Sequence, residues 1–278
     1  MIDGIFVIDA HNHINPGIRK EYYGVDVGYF QTADQLVNRM NTNGIDMAVV
    51  MSSGSGLLSI DHLRRANEYV AESIKKHPNR LIGWCIVSPL LGEWMIEELK
   101  RYVSTLGFKG IKLLPHLHGF YPVDSEIVHP FIEEAAKLKI PVTIHSDFNN
   151  KRCTPYQVVS LAERFPEVTF LMAHMGMDPD QIHWIPSIVK KAKNVYLETS
   201  CTPNLPKSVY VNPCRILGPE RVIFGSDSPS LSPEVELKKV EIAEKIYGLT
   251  KYEKELILGK NIAEILKIKI SPSHSESS

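Results

Sequence analysis

The chain has 278 residues, 44% of them apolar and 23% charged, enough to bury roughly three quarters of its unfolded surface around a core. Its 31 Lys and Arg balance 32 Asp and Glu for a formal net charge of −1, so it lacks the cationic excess that drives binding to phosphate backbones or anionic lipid. These numbers exclude a disordered chain and argue against nucleic-acid or membrane partners; no apolar run approaches the roughly 20 residues of a membrane span.

Read in chain order, the sequence opens MIDGIFVIDAHNH, acidic and polar by residue 9 and unlike a secretory signal. Short apolar, β-branched runs then recur at 5–9, 46–51, 81–87, 109–114, 141–145, 169–174, 195–199 and 222–227, each the length of a strand. Helical patterns alternate with them: 33–43 behind a Thr32 cap, 58–77, 93–105, 126–139 behind Ser125, 155–165, 180–193, 206–217 and 233–247. Several strands are apolar throughout, as parallel strands covered on both faces are. Eight βα units in 278 residues predict a single-domain α/β fold, a (β/α)8 TIM barrel over residues 1–270, with a flexible polar tail at 271–278 (SPSHSESS). The open doubly wound sheet is the competitor, but a glycine-rich phosphate turn would follow its first strand. Here that turn reads AHNHINPG.

Four widely spaced cysteines (Cys85, Cys153, Cys201, Cys214) with no CxxC fit a cytoplasmic protein. In a barrel the chemistry sits at the C-terminal ends of the strands, and those positions are polar here. Asp9, His11 and His13 share one face of the first strand by period-two geometry. Lys112 lies on the fourth strand, His145 ends the fifth, His174 the sixth and Asp227 the eighth. Taken singly, each has an ordinary reading: a tag-like His pair, a core histidine, a lysine whose stem packs, a turn aspartate. Histidine fills 11 of 278 positions, so several imidazoles falling together on preselected strand ends is a poor coincidence. Imidazole nitrogens with a carboxylate and no thiolate suit Zn²⁺, or else Fe, Mn, Co or Ni, with room for a bound water. That composition predicts a catalytic centre acting on a small molecule.

The array Asp9-x-His11-x-His13, Lys112, His145, His174 and Asp227 resembles the amidohydrolase superfamily. Local phrases GIKLLP (110–115), MAHMG (172–176), NVYLETS (194–200), FGSDSP (224–229) and GKNIAEIL (259–266) are similar to its amidohydrolase-related branch, which includes aminocarboxymuconate-semialdehyde decarboxylase. The resemblance implies one or two divalent ions, most simply Zn²⁺, held by His11, His13, His145 and Asp227. It implies that Asp227 is also the general base toward a metal-activated water, and that His174 binds a second ion or polarises the substrate. Lys112 is carboxylated and bridges two ions in two-metal relatives. It implies too that Asp9 supports the strand end or orients an imidazole, and that barrels of this branch often form homodimers.

The leading expectation is therefore a metal-dependent hydrolase of an amide, lactone or related bond. A non-oxidative decarboxylase or hydratase of an unsaturated or aromatic acid is the alternative, and a non-catalytic barrel the outsider. Substrate contacts are sought in the loops: Arg19, Lys20, Tyr22, Tyr23, Tyr29 and Phe30 after the first strand, His116 and His118 after the fourth, Asn149 to Arg152 after the fifth. Trp84 is either cavity lining or barrel core. Gly225 is expected where the eighth strand approaches closely, and Asn261 as a helix cap.

Overall fold

A computed structural model describes residues 1–16, 30–52 and 59–270. Eight parallel strands run β1 (Ile8–His13), β2 (Met47–Met51), β3 (Leu81–Ile86), β4 (Gly110–Leu113), β5 (Val142–His145), β6 (Phe170–Ala173), β7 (Val195–Glu198) and β8 (Val222–Ile223). They lie side by side in chain order. The barrel closes between β8 and β1 through Ala10 N–H to Phe224 O (3.0 Å), Asp227 N–H to His11 O (2.9 Å) and His13 N–H to Ser228 O (2.7 Å). The predicted (β/α)8 barrel is thus the fold.

The helices between the strands are α1 (Ala33–Asn43), α2 (Ile60–Lys76), α3 (Gly92–Leu106), α4 (His129–Leu138), α5 (Pro155–Arg164), α6 (Ile185–Val189), α7 (Asn212–Leu217) and α8 (Pro233–Tyr247). Thr32 caps α1 as expected, its hydroxyl accepting Gln35 N–H while the Gln35 side chain accepts Thr32 N–H. Ser125 does not cap in this way; its hydroxyl donates back to Pro122 O, and a short 3₁₀ turn precedes α4. The segment expected as one helix over 180–193 keeps only Ile185–Val189 helical. After α8 the chain continues as α9 (Lys251–Glu255), a π turn and α10 (Asn261–Leu266). Asn261 is no cap: it is buried, and its amide donates to Pro219 O (2.8 Å) and Val222 O (2.7 Å). It fastens the last helix to the entry of β8.

Trp84 belongs to the core. It is fully buried, its indole N–H donates to Thr143 Oγ1 (3.0 Å), and its ring occupies the space above Gly110, where a β-carbon would collide with it. Among the described residues no helix is long and apolar enough to cross a membrane. The polar tail at 271–278 lies outside the described residues.

Candidate active site

The mouth of the barrel is built where the first and last strands meet. The register of β1 against β2 shifts between Asp9 and Asn12, and this irregularity re-aims the end of the strand. Asp9 is buried and accepts from Ser226 N (2.9 Å), Ser226 Oγ (2.6 Å) and its neighbour His11 N (3.2 Å). Burial pushes its carboxyl up to about 7, against the pull of those hydrogen bonds. Of its two expected roles, support of the strand end is therefore the one its contacts match.

Asp227 follows β8 with φ 61°, a left-handed conformation uncommon for a residue other than glycine and often found at functional positions. Its Oδ1 is buried and lies 3.1 Å from His13 Nε2 and 3.6 Å from His11 Nε2. Burial alone would raise this carboxyl. The surrounding His13, His11 and His174 instead hold it well below the usual carboxylate range.

Glu198, at the end of β7, organises the imidazoles from behind. His11 Nδ1–H donates to Glu198 Oε2 (2.7 Å), and Ser200 donates to the same oxygen through its hydroxyl (2.8 Å) and to Oε1 through its N–H (2.6 Å). His174 Nδ1–H is directed at Ser200 O (3.2 Å). With each Nδ1 so engaged, Nε2 of His11 and of His174 carries the lone pair. The close fit depends on Gly225, because a β-carbon there would collide with the Glu198 carboxylate and crowd His11. The close approach expected at Gly225 is thus present, and it is an approach to Glu198. Burial drives His11 well below the ordinary imidazole range and His174 down to about 3, so both stand neutral. Lys112 is fully buried, contrary to a lysine that reaches water. Its Nζ lies 3.1 Å from His11 Nε2, and burial lowers its ammonium to about 8.

His145 stands apart from the His11, His13 and Asp227 group. Its ring is 4.7 Å from that of His174 and 4.1 Å from that of His116, and its ligand nitrogen groups with His116 and Cys153. The structure also brings two thiols to a mouth expected to have none. Cys153 joins that second group, and Cys201 joins His174 and Asp227. Glu198, Ser200, Cys153 and Cys201 escaped sequence reasoning. Only Glu198 carried a visible signal, as a polar residue ending an apolar strand like the others.

Of the loop candidates, Arg19, Lys20, Tyr22, Tyr23 and Tyr29 lie outside the described residues. Arg152 is committed to the rim: its guanidinium sits 5.2 Å from the Phe120 ring centre and donates to Phe120 O (3.2 Å). Asn149 donates to Asp178 (2.7 Å).

The donor set fits a divalent cation. Two imidazole nitrogens and a carboxylate oxygen of His11, His13 and Asp227 lie within 4.8 Å of one another, a nitrogen and oxygen donor set of the kind that holds such an ion. Comparison with known proteins adds the family context. The chain is 24% identical over 173 residues to 2-amino-3-carboxymuconate-6-semialdehyde decarboxylase of Dictyostelium discoideum, covering 50% of this chain and 48% of that one. It is 27% identical over 128 residues to gamma-resorcylate decarboxylase of a Polaromonas species, covering 40% and 38%. The matched stretch thus spans about half, or less, of each of these curated relatives. A dihydroxybenzoic acid decarboxylase from Polaromonas with bound manganese shares the fold, with a TM-score of 0.74 at 16% identity over 98% of this chain and 100% of that one. The two curated relatives overturn the expectation of amide or lactone hydrolysis, because both are named decarboxylases. The amidohydrolase family model matches residues 8–268, nearly the whole barrel, and the chain is a member of the amidohydrolase family.

Proposed function

We propose that the protein is a divalent-metal-dependent, non-oxidative decarboxylase of a small aromatic or unsaturated carboxylic acid. The observation that carries this reading is the convergence of donor atoms of His11, His13 and Asp227 at the barrel mouth, with Asp227 Oδ1 facing both imidazoles. The names of the curated relatives supply the reaction class, and their substrates, a resorcylate and a carboxymuconate semialdehyde, suggest an acid with an oxygen or nitrogen substituent near its carboxylate. Nitrogen and oxygen donors suit Zn²⁺, and equally the Mn²⁺ carried by a structural neighbour.

A cation bound by these residues would fix the substrate carboxylate and the adjacent oxygen, and would withdraw electron density from the ring or chain. The remaining work falls to the protein. Loss of CO₂ leaves an electron pair on carbon that a proton must take up, so the site needs a group that carries a proton to that carbon. Asp227 is held ionised, and so it first accepts a proton from a substrate hydroxyl or water and then delivers it. His174, neutral with Nε2 open, accepts a hydrogen bond from the substrate and orients it. Glu198 fixes the His11 tautomer, and Lys112 supplies positive charge beside the carboxylate. His145 lies beside His174, with ring centres 4.7 Å apart. Dispersed free thiols fit a reducing cytoplasmic setting.

The test is CO₂ release and solvent deuterium incorporation across a panel of hydroxylated benzoates and unsaturated dicarboxylic acids, with the protein reconstituted in Zn²⁺ or Mn²⁺. Turnover of one of them with one deuterium in the product is expected. Metal-loaded protein that releases no CO₂ from any member of the panel would overturn the reading.

A further inference from the structure

Against the loop after β7, α8 buries an ion pair that the chemistry above does not use. Glu236 and Lys239 stand one helical turn apart, 1% and 5% exposed, with Lys239 Nζ 2.7 Å and 3.0 Å from the two carboxylate oxygens. The ammonium also donates to Thr202 O (2.8 Å). An i, i+3 pair is ordinary on a helix surface. Inside the protein it must repay the desolvation of both charges, and apolar side chains of similar volume would fill the same space at little or no cost in stability. Burial does push the Glu236 carboxyl up, against the pull of Lys239. What an apolar pair could not do is hold a carbonyl.

That carbonyl belongs to the turn that carries Ser200. The turn runs from Thr199 to Thr202, is closed by Thr202 Oγ1 donating to Thr199 O (2.8 Å), and takes Cys201 through a left-handed φ of 53°, a conformation that a residue other than glycine keeps only where its surroundings enforce it. Ser200 sits between: its carbonyl accepts His174 Nδ1–H (3.2 Å), and its N–H and hydroxyl fix the two oxygens of Glu198, the acceptor of His11 Nδ1–H. Lys239 therefore grips the far end of a peptide stretch whose near end sets the ring orientation and tautomer of two imidazoles. The same helix begins at Pro233, shortly after Asp227, with Glu236 N–H bonded to Ser232 O (3.2 Å), so the pair ties the loops after β7 and β8 to one element.

We propose that Lys239, held by Glu236, is a positioning residue of the metal centre: by anchoring Thr202 O it fixes the Ser200 turn and, through it, the Nδ1–H tautomers of His174 and His11 that leave Nε2 open toward a cation or substrate. This role rests on the metal-dependent reading of the site, but its signatures are a tautomer and an affinity, neither of which requires turnover.

Replacing the two residues together, Glu236→Met with Lys239→Met, removes the anchor without leaving a charge buried alone, so the metal-free double variant should melt close to the wild type. Its Mn²⁺ affinity should nevertheless fall about 10-fold or more. In ¹⁵N-histidine NMR spectra of metal-free protein, His174 should pass from Nδ1–H alone in the wild type to a mixture of both neutral tautomers. Glu236→Gln leaves the ammonium on Thr202 O, and should keep the His174 tautomer and bind Mn²⁺ within about threefold of the wild type. A double variant that melts like the wild type and keeps both tautomer and affinity would overturn the proposal. So would a Glu236→Gln protein that loses them, because the effect would then belong to the carboxylate. Wild type that binds no Mn²⁺ would count against the decarboxylase reading instead, while the tautomer still reports on the anchor.

Discussion

The two ends of this barrel use their polar side chains in opposite ways. At the N-terminal end several polar side chains are turned onto backbone carbonyls. Asn194 donates to Ala162 O, Phe165 O and Val168 O (2.8–3.1 Å). Arg221 donates to Val189 O, Ala192 O and Val195 O, and Arg80 to Ile45 O and Asp46 O. At the C-terminal end, buried Asp227 Oδ1 faces only imidazoles, His116 Nδ1 is buried without a hydrogen-bond partner among the described residues, and buried Lys112 rests beside an imidazole that burial keeps neutral. One end spends polar groups on carbonyls that the strand entries leave over, and so holds the fold. The other keeps donor atoms open, which destabilises the empty protein and equips it to bind.

Substitutions can break that contrast. The largest effect is expected from Asp227→Asn, which keeps an oxygen donor but cannot carry the proton; turnover should fall about 10²–10⁴-fold with little change in melting temperature. Glu198→Gln should come next, weakening metal affinity about 10–100-fold because His11 loses its orienting carboxylate. Gly225→Ala should do the same by displacing Glu198, and equilibrium titration of the metal would show both. At the opposite end Asn194→Ala should leave metal binding intact while destabilising the fold by about 1–3 kcal/mol, since three buried carbonyls lose a donor; denaturant unfolding measures it. Lys100→Ala, on an exposed pair with Glu97 at 2.7 Å, should change neither melting temperature nor turnover. An Asn194 variant that lost metal with its stability unchanged would erase the distinction between the two ends.

Much of the barrel is legible because most of its strands are apolar runs of the right length, and each of the eight runs overlaps a strand. The edges moved for physical reasons. Strand β1 was read as 5–9 from composition but pairs over Ile8–His13, because β2 and the β8 loop bond the backbone of His11, Asn12 and His13 despite their polar side chains. Strand β8 was read as 222–227 but keeps only Val222–Ile223 as strand; the chain bends away to seat Gly225 over Glu198 and Asp227 in its left-handed turn.

Within the site, His11, His13 and Asp227 were readable from their places at strand ends. Their partners were not. The roles of Glu198 and Ser200 exist only once β7 lies beside β8, and the thiols of Cys153 and Cys201 come from loops whose paths no periodicity encodes. His145 shows the same limit in reverse, since its strand position was read correctly while its neighbours, His116 and Cys153, were not foreseen.

The seam between β8 and β1 carries one more consequence. His11 and His13 are made first and Asp227 near the end of synthesis, so the proposed ligand set does not exist until the last strand has been delivered and closed against the first. An ion bound there would be a clasp on a closed ring. Any free energy of its binding is free energy of ring closure, and metal-loaded protein should resist unfolding by an amount that grows with the logarithm of metal concentration. A chain cut short before residue 222 would keep two of those three ligands and lose the closed ring that makes them a site.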